Sequence, residues 1–394
     1  GGHGKVIGFD MGGTSTDVSH YAGEFERAFE TLVAGVRMRA PMMSIHTVAA
    51  GGGSILSFDG ARLRVGPESA GANPGPASYR RGGPLATTDA NVMLGKIQPA
   101  YFPKVFGPGA DEALDREGVV QRFTQLAAEV QQATGRPTTP EGLAEGFLQI
   151  AVQNMANAIK RISVARGYDV TQYTLQCFGG AGGQHACGVA DALGMTRVFV
   201  HPLAGVLSAY GMGLADQIAM REASIEQSLD ASGLAAAAAQ LQSLAAAASD
   251  ELTEQGVDRT DIQLRRRIHV RYQGTDTALV VDFGDAASIQ AAFEVDYRQR
   301  FAFLMPDRTL VIKAVSVEAV APGEGFEAPA SHTAAPQRPE PMARVRMHCG
   351  QWFDAALYDR EQLDAGASID GPAILAERNA TTVVEPGWLA TLTA

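Results

Sequence analysis

Cysteine is scarce: Cys177, Cys187 and Cys349 are the only three in 394 residues. Three thiols make no disulfide framework of the kind that staples small secreted domains. No apolar run approaches the roughly 20 residues needed to cross a bilayer, and no stretch reads as a signal peptide. A cytoplasmic protein without a membrane partner is therefore expected. Basic excess is missing too, with 32 Lys and Arg against 43 Asp and Glu and a formal net charge of -11. The densest basic cluster, Arg265-Arg266-Arg267, reads as solvent-facing or paired across a sheet. This balance argues against a nucleic-acid partner. What is plentiful is apolar: 46% of residues are hydrophobic and 19% charged, enough for a folded core and two or three domains.

The most informative stretch is Phe9-Asp10-Met11-Gly12-Gly13-Thr14-Ser15-Thr16-Asp17-Val18, which follows the apolar Val6-Ile7. It reads as a strand entering an anion-gripping turn. Gly12 and Gly13 let the backbone approach an anion, Thr14 and Ser15 add hydroxyl donors, and Asp10 and Asp17 suit Mg²⁺ or an ordered water. The plain alternative is a hairpin whose glycines only make the turn. A second cluster, Gly179-Gly180-Ala181-Gly182-Gly183, sits between the strand-like Tyr173 to Phe178 and the helical Gln184 to Leu193. Two strand-to-glycine turns suggest two walls of one cleft. Val6 to Phe9, Val18 to Tyr21 and Phe25 to Thr31 read as consecutive strands. A helix from Leu143 to Arg166 and a last strand at Val198 to His201 complete a β-β-β-α-β-α-β unit. That order resembles the nucleotide-binding half of the actin, Hsp70 and sugar-kinase superfamily. There the first turn holds phosphates and the second lies against adenosine.

Other segments carry two readings. Cys177, His185 and Cys187 raise zinc as one reading, but residues two apart on a helix diverge, so a core thiol and a cleft-facing His185 at a helix N-terminus fit better. The Gly- and Pro-rich segments Gly51 to Ser54 and Gly66 to Pro76 read as folded, site-forming loops rather than linkers. Thr88 or Asp89 reads as the N-cap of a short helix, with a metal or substrate role for Asp89 as the alternative. Arg271, Thr275 and Asp276 are either substrate contacts or an ordinary hairpin turn. The segment Leu229 to Glu254 reads as a helical scaffold or packing hairpin, and Asp115 to Thr134 as a helix of no evident chemistry. Five prolines between Pro322 and Pro341 suggest an extended linker. The division expected is 1–225 (with an insertion at 32–140), 226–321, a linker at 322–341, and a small β domain at 342–394.

Taken together, Gly8 to Ser19, Tyr21 to Glu26, Thr47 to Ser54, Val65 to Pro76, Thr88-Asp89-Ala90-Asn91 and Cys177 to Cys187 resemble the hydantoinase A and oxoprolinase family. Val270 to Asp276 is closer to its ATP-hydrolysing 5-oxoprolinase branch, and the tail Gly371 to Leu375 with Val384 to Trp388 looks like the family's C-terminal β domain. Ser78 stands where relatives usually carry cysteine, which rules out a thiol role there. The resemblance implies an α/β, actin/Hsp70/sugar-kinase-like nucleotide-binding unit with a large Gly-rich insertion, a further α/β region and a C-terminal β domain. It implies ATP and Mg²⁺ as cofactors and 5-oxo-L-proline or another cyclic amide as substrate. The candidate catalytic carboxylates are Asp10, Asp17 and Asp89, the first two at the metal. Gly12, Gly13, Thr14 and Ser15 would meet the phosphates, and Gly179, Gly180, Gly182, Gly183 and His185 the rest of the nucleotide. In that family the Asp-Met-Gly-Gly-Thr segment lies mid-chain. An N-terminal domain with its own phosphate loop and a hydantoinase B-like portion are thus expected partners, in an oligomer.

Overall fold

Alternation along Val6–Met11 (β1) buries Ile7, Phe9 and Met11 completely and turns Asp10 to the opposite face. Thr16–Tyr21 (β2) returns antiparallel, with Asp10 opposite Asp17 and Gly8 opposite Ser19. In this computed structural model, which describes residues 2–33, 36–323 and 337–393, Ile45–Val48 (β3) adds antiparallel to β2. Thr174–Phe178 (β4) adds parallel to β1, and Val198–Val200 (β5) parallel to β4. The sheet order is β3-β2-β1-β4-β5.

One strand differs from expectation. The backbone near Phe25 to Thr31 forms Arg27–Val33, which pairs with Val36–Met43 in a separate two-stranded sheet. After the Ala22-Gly23 turn the chain makes only an isolated bridge from Tyr21 to Phe25, so the edge of β2 stays open and Ile45–Val48 takes it.

Three helices position the site. Thr87–Met93 (α1) is capped by Ala86, and Pro140–Ile162 (α2) by Thr139, whose side chain accepts from the Gly142 N–H. The fixed φ of proline suits Pro140 to the first helical position. Leu143, Phe147, Ala151, Met155 and Ile159 recur every four residues on the buried side of α2. Ala186–Leu193 (α3) follows the second glycine turn and ends at Gly194, whose φ of 68° is left-handed.

The chain divides into two compact units: residues 1–164, 169–209 and 328–394 in one, 165–168 and 210–327 in the other. The four-stranded sheet of Ala343–His348, Trp352–Asp359, Ala373–Ala376 and Thr381–Val384 belongs to the first unit. The guanidinium of Arg360 shows why: it donates to the Val200 carbonyl of β5 at 3.0 Å and to Glu377 at 2.7 Å. The second unit has a four-stranded antiparallel sheet around a core that includes Tyr272, Phe293 and Tyr297. Its alanine-rich segment is one helix, Ala231–Glu254, rather than a hairpin, because nothing in this run of strong helix formers breaks it. Residues 324–336 of the expected proline-rich linker lie outside the described residues. No described helix is long and apolar enough to cross a membrane.

Candidate functional site

The first glycine turn joins β1 to β2 through Gly12–Ser15 and is closed by the Gly12 N–H donating to the Ser15 carbonyl at 3.1 Å. Gly13 and Thr14 are exposed, and a Cβ added at Gly12 or Gly13 would meet nothing within 4 Å. These two glycines therefore leave open space in front of the turn. Below it, Asp10 and Asp17 are cross-strand neighbours, both half-buried. Burial raises the pKa of Asp10 and the nearby Asp17 charge adds to this, while a hydrogen bond from Ser208 acts the other way. Thr47 on β3 donates its hydroxyl to Asp17.

The turn is held from behind. The Gly52 N–H donates to the Gly12 carbonyl at 3.1 Å and the Gly53 N–H to the Gly13 carbonyl at 2.6 Å. A Cβ on Gly51 would lie 2.6–2.7 Å from the backbone of Thr14 and Ser15, so only glycine allows this approach. The segment expected to line a cleft, Gly51 to Ser54, is thus buried as a support for the turn. Thr88 completes the layer, its N–H and its hydroxyl both donating to the Gly52 carbonyl, at 2.8 and 2.9 Å.

The second glycine turn docks on the end of β1. Gly179, at φ 82°, comes so close that a Cβ would meet the Met11 carbonyl oxygen and Asp10 Oδ1 at 2.3 and 2.5 Å. The Ala181 N–H donates to that same carbonyl at 3.1 Å. Gly180 is exposed, whereas Gly182 and Gly183 are buried. A Cβ on Gly182 would meet Cys177 Sγ at 2.9 Å, and one on Gly183 the Thr381 carbonyl at 2.7 Å. Protein atoms thus fill the side-chain direction at both Gly182 and Gly183, which packing holds to glycine.

His185 is also not cleft-facing. It is 3% exposed, with Nε2 3.3 Å from the Asn91 amide nitrogen, and burial lowers its pKa to about 3. In the unfolded chain the ring would titrate near 6.5, so between these values the unfolded state binds a proton that the folded state does not. Stability is therefore complete above about pH 6.5 and falls with acidification, at up to about 1.4 kcal/mol per pH unit. Urea unfolding at pH 7, 6, 5 and 4 should show a steeper acid loss for the wild type than for His185→Gln. Equal slopes would reject a buried neutral imidazole.

Asp89 sits at the third position of α1, not at the N-cap, and is fully buried. Its carboxylate accepts the N–H groups of Ala77, Ser78 and Ala86 at 2.8–2.9 Å, which pins the Gly75-Pro76-Ala77-Ser78 loop to the helix. Three backbone N–H donors on a fully buried carboxylate give Asp89 a structural role in holding this loop. Asn91, two residues on, donates to the Gln184 side chain at 2.9 Å. The Thr88-Asp89-Ala90-Asn91 motif thereby connects the support of the first turn to the start of the second. The zinc alternative finds no support: Cys177 is buried, burial pushes the Cys187 thiol up to about 12, and no metal-holding group of three or more His, Cys, Asp or Glu occurs among the described residues.

In the second unit, the Arg271 guanidinium donates to Glu226 at 2.9 Å and to the Thr275 carbonyl at 3.2 Å, and the Thr275 hydroxyl donates to the Tyr272 carbonyl at 2.9 Å. This is a braced hairpin turn between Gln263–Tyr272 and Leu279–Asp282, the plainer of the two readings. What the sequence reading missed is the segment after β5. Asp10, Gly179 and residues 204–209 surround a cavity of about 280 Å³, and the Ser208 hydroxyl donates to Asp10 Oδ2 at 2.7 Å. Its one local signal is the small-residue run Ala204-Gly205 and Ser208-Ala209 directly beyond a strand.

Comparison with known proteins follows this geometry. Residues 1–221 match the hydantoinase/oxoprolinase family and residues 226–394 the hydantoinase/oxoprolinase C-terminal domain. The 5-oxoprolinase of Dictyostelium discoideum is 40% identical over 393 residues, spanning 98% of this chain and 31% of that protein. The 5-oxoprolinase of Saccharomyces cerevisiae is 38% identical over 401 residues, with 98% and 31% covered. The chain thus spans about a third of the length of these curated relatives. Among solved structures, the ATP-dependent caprolactamase from Pseudomonas jessenii superposes with a TM-score of 0.84 at 26% identity, covering 99% of this chain and 57% of that one. A nucleotide-free acetone carboxylase, at 22% identity and a TM-score of 0.72, shares the fold. Two family matches that together take in nearly every residue, built around an open glycine turn with paired aspartates, make this chain a member of the hydantoinase/oxoprolinase family.

Proposed function

We propose that this chain is part of an ATP-dependent 5-oxoprolinase, which opens 5-oxo-L-proline to L-glutamate while ATP becomes ADP and phosphate. The observation that carries the reading is the cross-strand pair Asp10 and Asp17 under an open glycine turn, in a chain 40% identical to a 5-oxoprolinase. The five-stranded sheet is read as the nucleotide-binding half of an actin/Hsp70/sugar-kinase-like domain. Two adjacent carboxylates beside open backbone fit a metal-bound polyphosphate. Asp10 and Asp17 would hold Mg²⁺ directly or through waters, and the ion, when bound, neutralises phosphate charge. Gly12 and Gly13 leave open space for the phosphates, the N–H groups of Gly13, Thr14 and Ser15 and the hydroxyls of Thr14 and Ser15 orient them, and the exposed Gly180 beside Gly179 leaves room for the nucleoside.

A lactam carbonyl is a poor electrophile at neutral pH. Transfer of the terminal phosphoryl group to the lactam oxygen makes the ring carbon open to attack by water, so the site must align the two reactants and keep bulk water out until then. An N-terminal domain with a second phosphate loop and a hydantoinase B-like portion would complete it, in a cytoplasmic oligomer. A cyclic amide is preferred over a ketone because the caprolactamase relative is named for a lactam. N-methylhydantoin hydrolysis, ketone carboxylation and a non-catalytic assembly role are the alternatives.

ADP release from Mg-ATP, with 5-oxoproline, by the chain alone and after adding the two further portions, tests this. Lactam-dependent release only in the reconstituted mixture is expected. A folded complex whose ADP release ignores 5-oxoproline but responds to N-methylhydantoin or a ketone would transfer the proposal to that acceptor.

A further inference from the structure

The geometry points to Asn91 as the positioning residue that locks the second glycine turn to the first, so that the two turns keep one separation. The inference rests on the nucleotide reading above and adds to it a residue that touches no ligand. Asn91 is fully buried. Its side-chain amide donates to Gln184 Oε1 at 2.9 Å and lies 3.3 Å from His185 Nε2, partners 93 and 94 positions along the chain. Both stand at the end of the second turn, where the Gln184 N–H donates to the Ala181 carbonyl at 3.3 Å. The Ala181 N–H then reaches the Met11 carbonyl at 3.1 Å, which returns the path to the end of β1.

The other half of the path runs behind the first turn. The Gly12 carbonyl accepts from the Gly52 N–H, and the Gly52 carbonyl accepts the N–H and hydroxyl of Thr88, which shares helix α1 with Asn91. Hydrogen bonds therefore close a ring through Met11-Gly12, Gly52, α1 and residues 181–184. The ring is filled, since a Cβ on Gly52 would lie 2.8 Å from the Thr88 hydroxyl and 3.8 Å from the Ala181 Cβ. Close packing of this kind transmits a displacement instead of absorbing it. Within the ring, the bond from Asn91 to Gln184 is the one made by two side chains, so it can be cut without touching a backbone bond. A ligand held at both turns gains over one held at a single turn only when their spacing is preset. A nucleoside triphosphate spans both, with phosphates before Gly12 and Gly13 and the nucleoside beside Gly180. Inorganic tripolyphosphate engages the first turn alone.

The test uses Mg-ATP and Mg-tripolyphosphate as probes, in calorimetric titrations of the chain reconstituted with its further portions. Asn91→Leu, close in shape but without polar atoms, should weaken Mg-ATP about tenfold and leave Mg-tripolyphosphate within about twofold. Gln184→Met cuts the same bond from the other side and should give the same pattern, which keeps the test decisive if Asn91→Leu does not fold. The double variant should lose little more than either single one, because both remove one link. Unchanged Mg-ATP binding, equal losses for the two probes, or additive losses in the double variant would each overturn the positioning role. A wild-type protein that binds both probes equally would overturn the placement of the nucleotide across the two turns, and with it this inference. One that binds neither probe would instead overturn the nucleotide reading itself.

Discussion

Replacing Asp10 by Asn is expected to lower lactam-dependent ADP release by about 10²–10³-fold while leaving the fold intact or slightly more stable. Loss of one preorganised polar group at a reacting centre costs this order of rate. The stability side follows from where the carboxylate sits. Asp10 is half-buried, burial raises its pKa, and Asp17 is its direct cross-strand neighbour. An amide of the same shape removes both the desolvation cost and the like-charge repulsion, and it still accepts the Ser208 hydroxyl hydrogen. The measurement pairs steady-state ADP release with thermal unfolding. Activity within about tenfold of wild type would remove Asp10 from nucleotide handling, and a fall in midpoint with full activity would make it a structural residue.

The second large effect is expected at Gly51. An alanine there places its Cβ 2.6–2.7 Å from the backbone of Thr14 and Ser15, where no side chain is available to swing away. Either the first glycine turn or the loop behind it must move, at a cost of about 1–3 kcal/mol. Because the Gly52 and Gly53 amides hold the Gly12 and Gly13 carbonyls, that movement displaces the turn itself. Gly51→Ala should therefore lower the unfolding midpoint and raise the KM for ATP together. Gly13→Ala is the contrasting change: its Cβ meets no protein atom within 4 Å, so stability should hold while nucleotide binding falls. If Gly51→Ala unfolds at the wild-type midpoint, the support role is wrong. If Gly13→Ala binds nucleotide normally, the open space before the turn is not where phosphates lie.

Most of the local structure was legible along the chain. The β1 and β4 strands, the two glycine turns after them, the helix that begins α3 and the hairpin around Gly274 all depend on short-range periodicity and turn chemistry, which act within a few residues. Asp10 and Asp17 were legible as a pair because a four-residue turn fixes their register. Burial was not legible. His185 reads as a cleft residue on its own helix, and only Asn91, 94 positions away, and the packing around both show that it is enclosed. Gly182 and Gly183 carry the same local signal as Gly180, yet the side-chain direction of Gly182 meets Cys177 and that of Gly183 meets Thr381 and Thr382, residues that only folding brings there.

The sequence by itself determined the α/β class, the open glycine turn and the family resemblance, since these rest on residue type and spacing along one strand or turn. The tertiary structure alone decided which strand filled the open edge of β2, which glycines support the turn rather than line it, and that Ser208 reaches Asp10. The physical reason is one of range. Backbone preference is set by neighbours in the chain, whereas desolvation, close approach and the orientation of a carboxylate are set by atoms that folding brings from far along it.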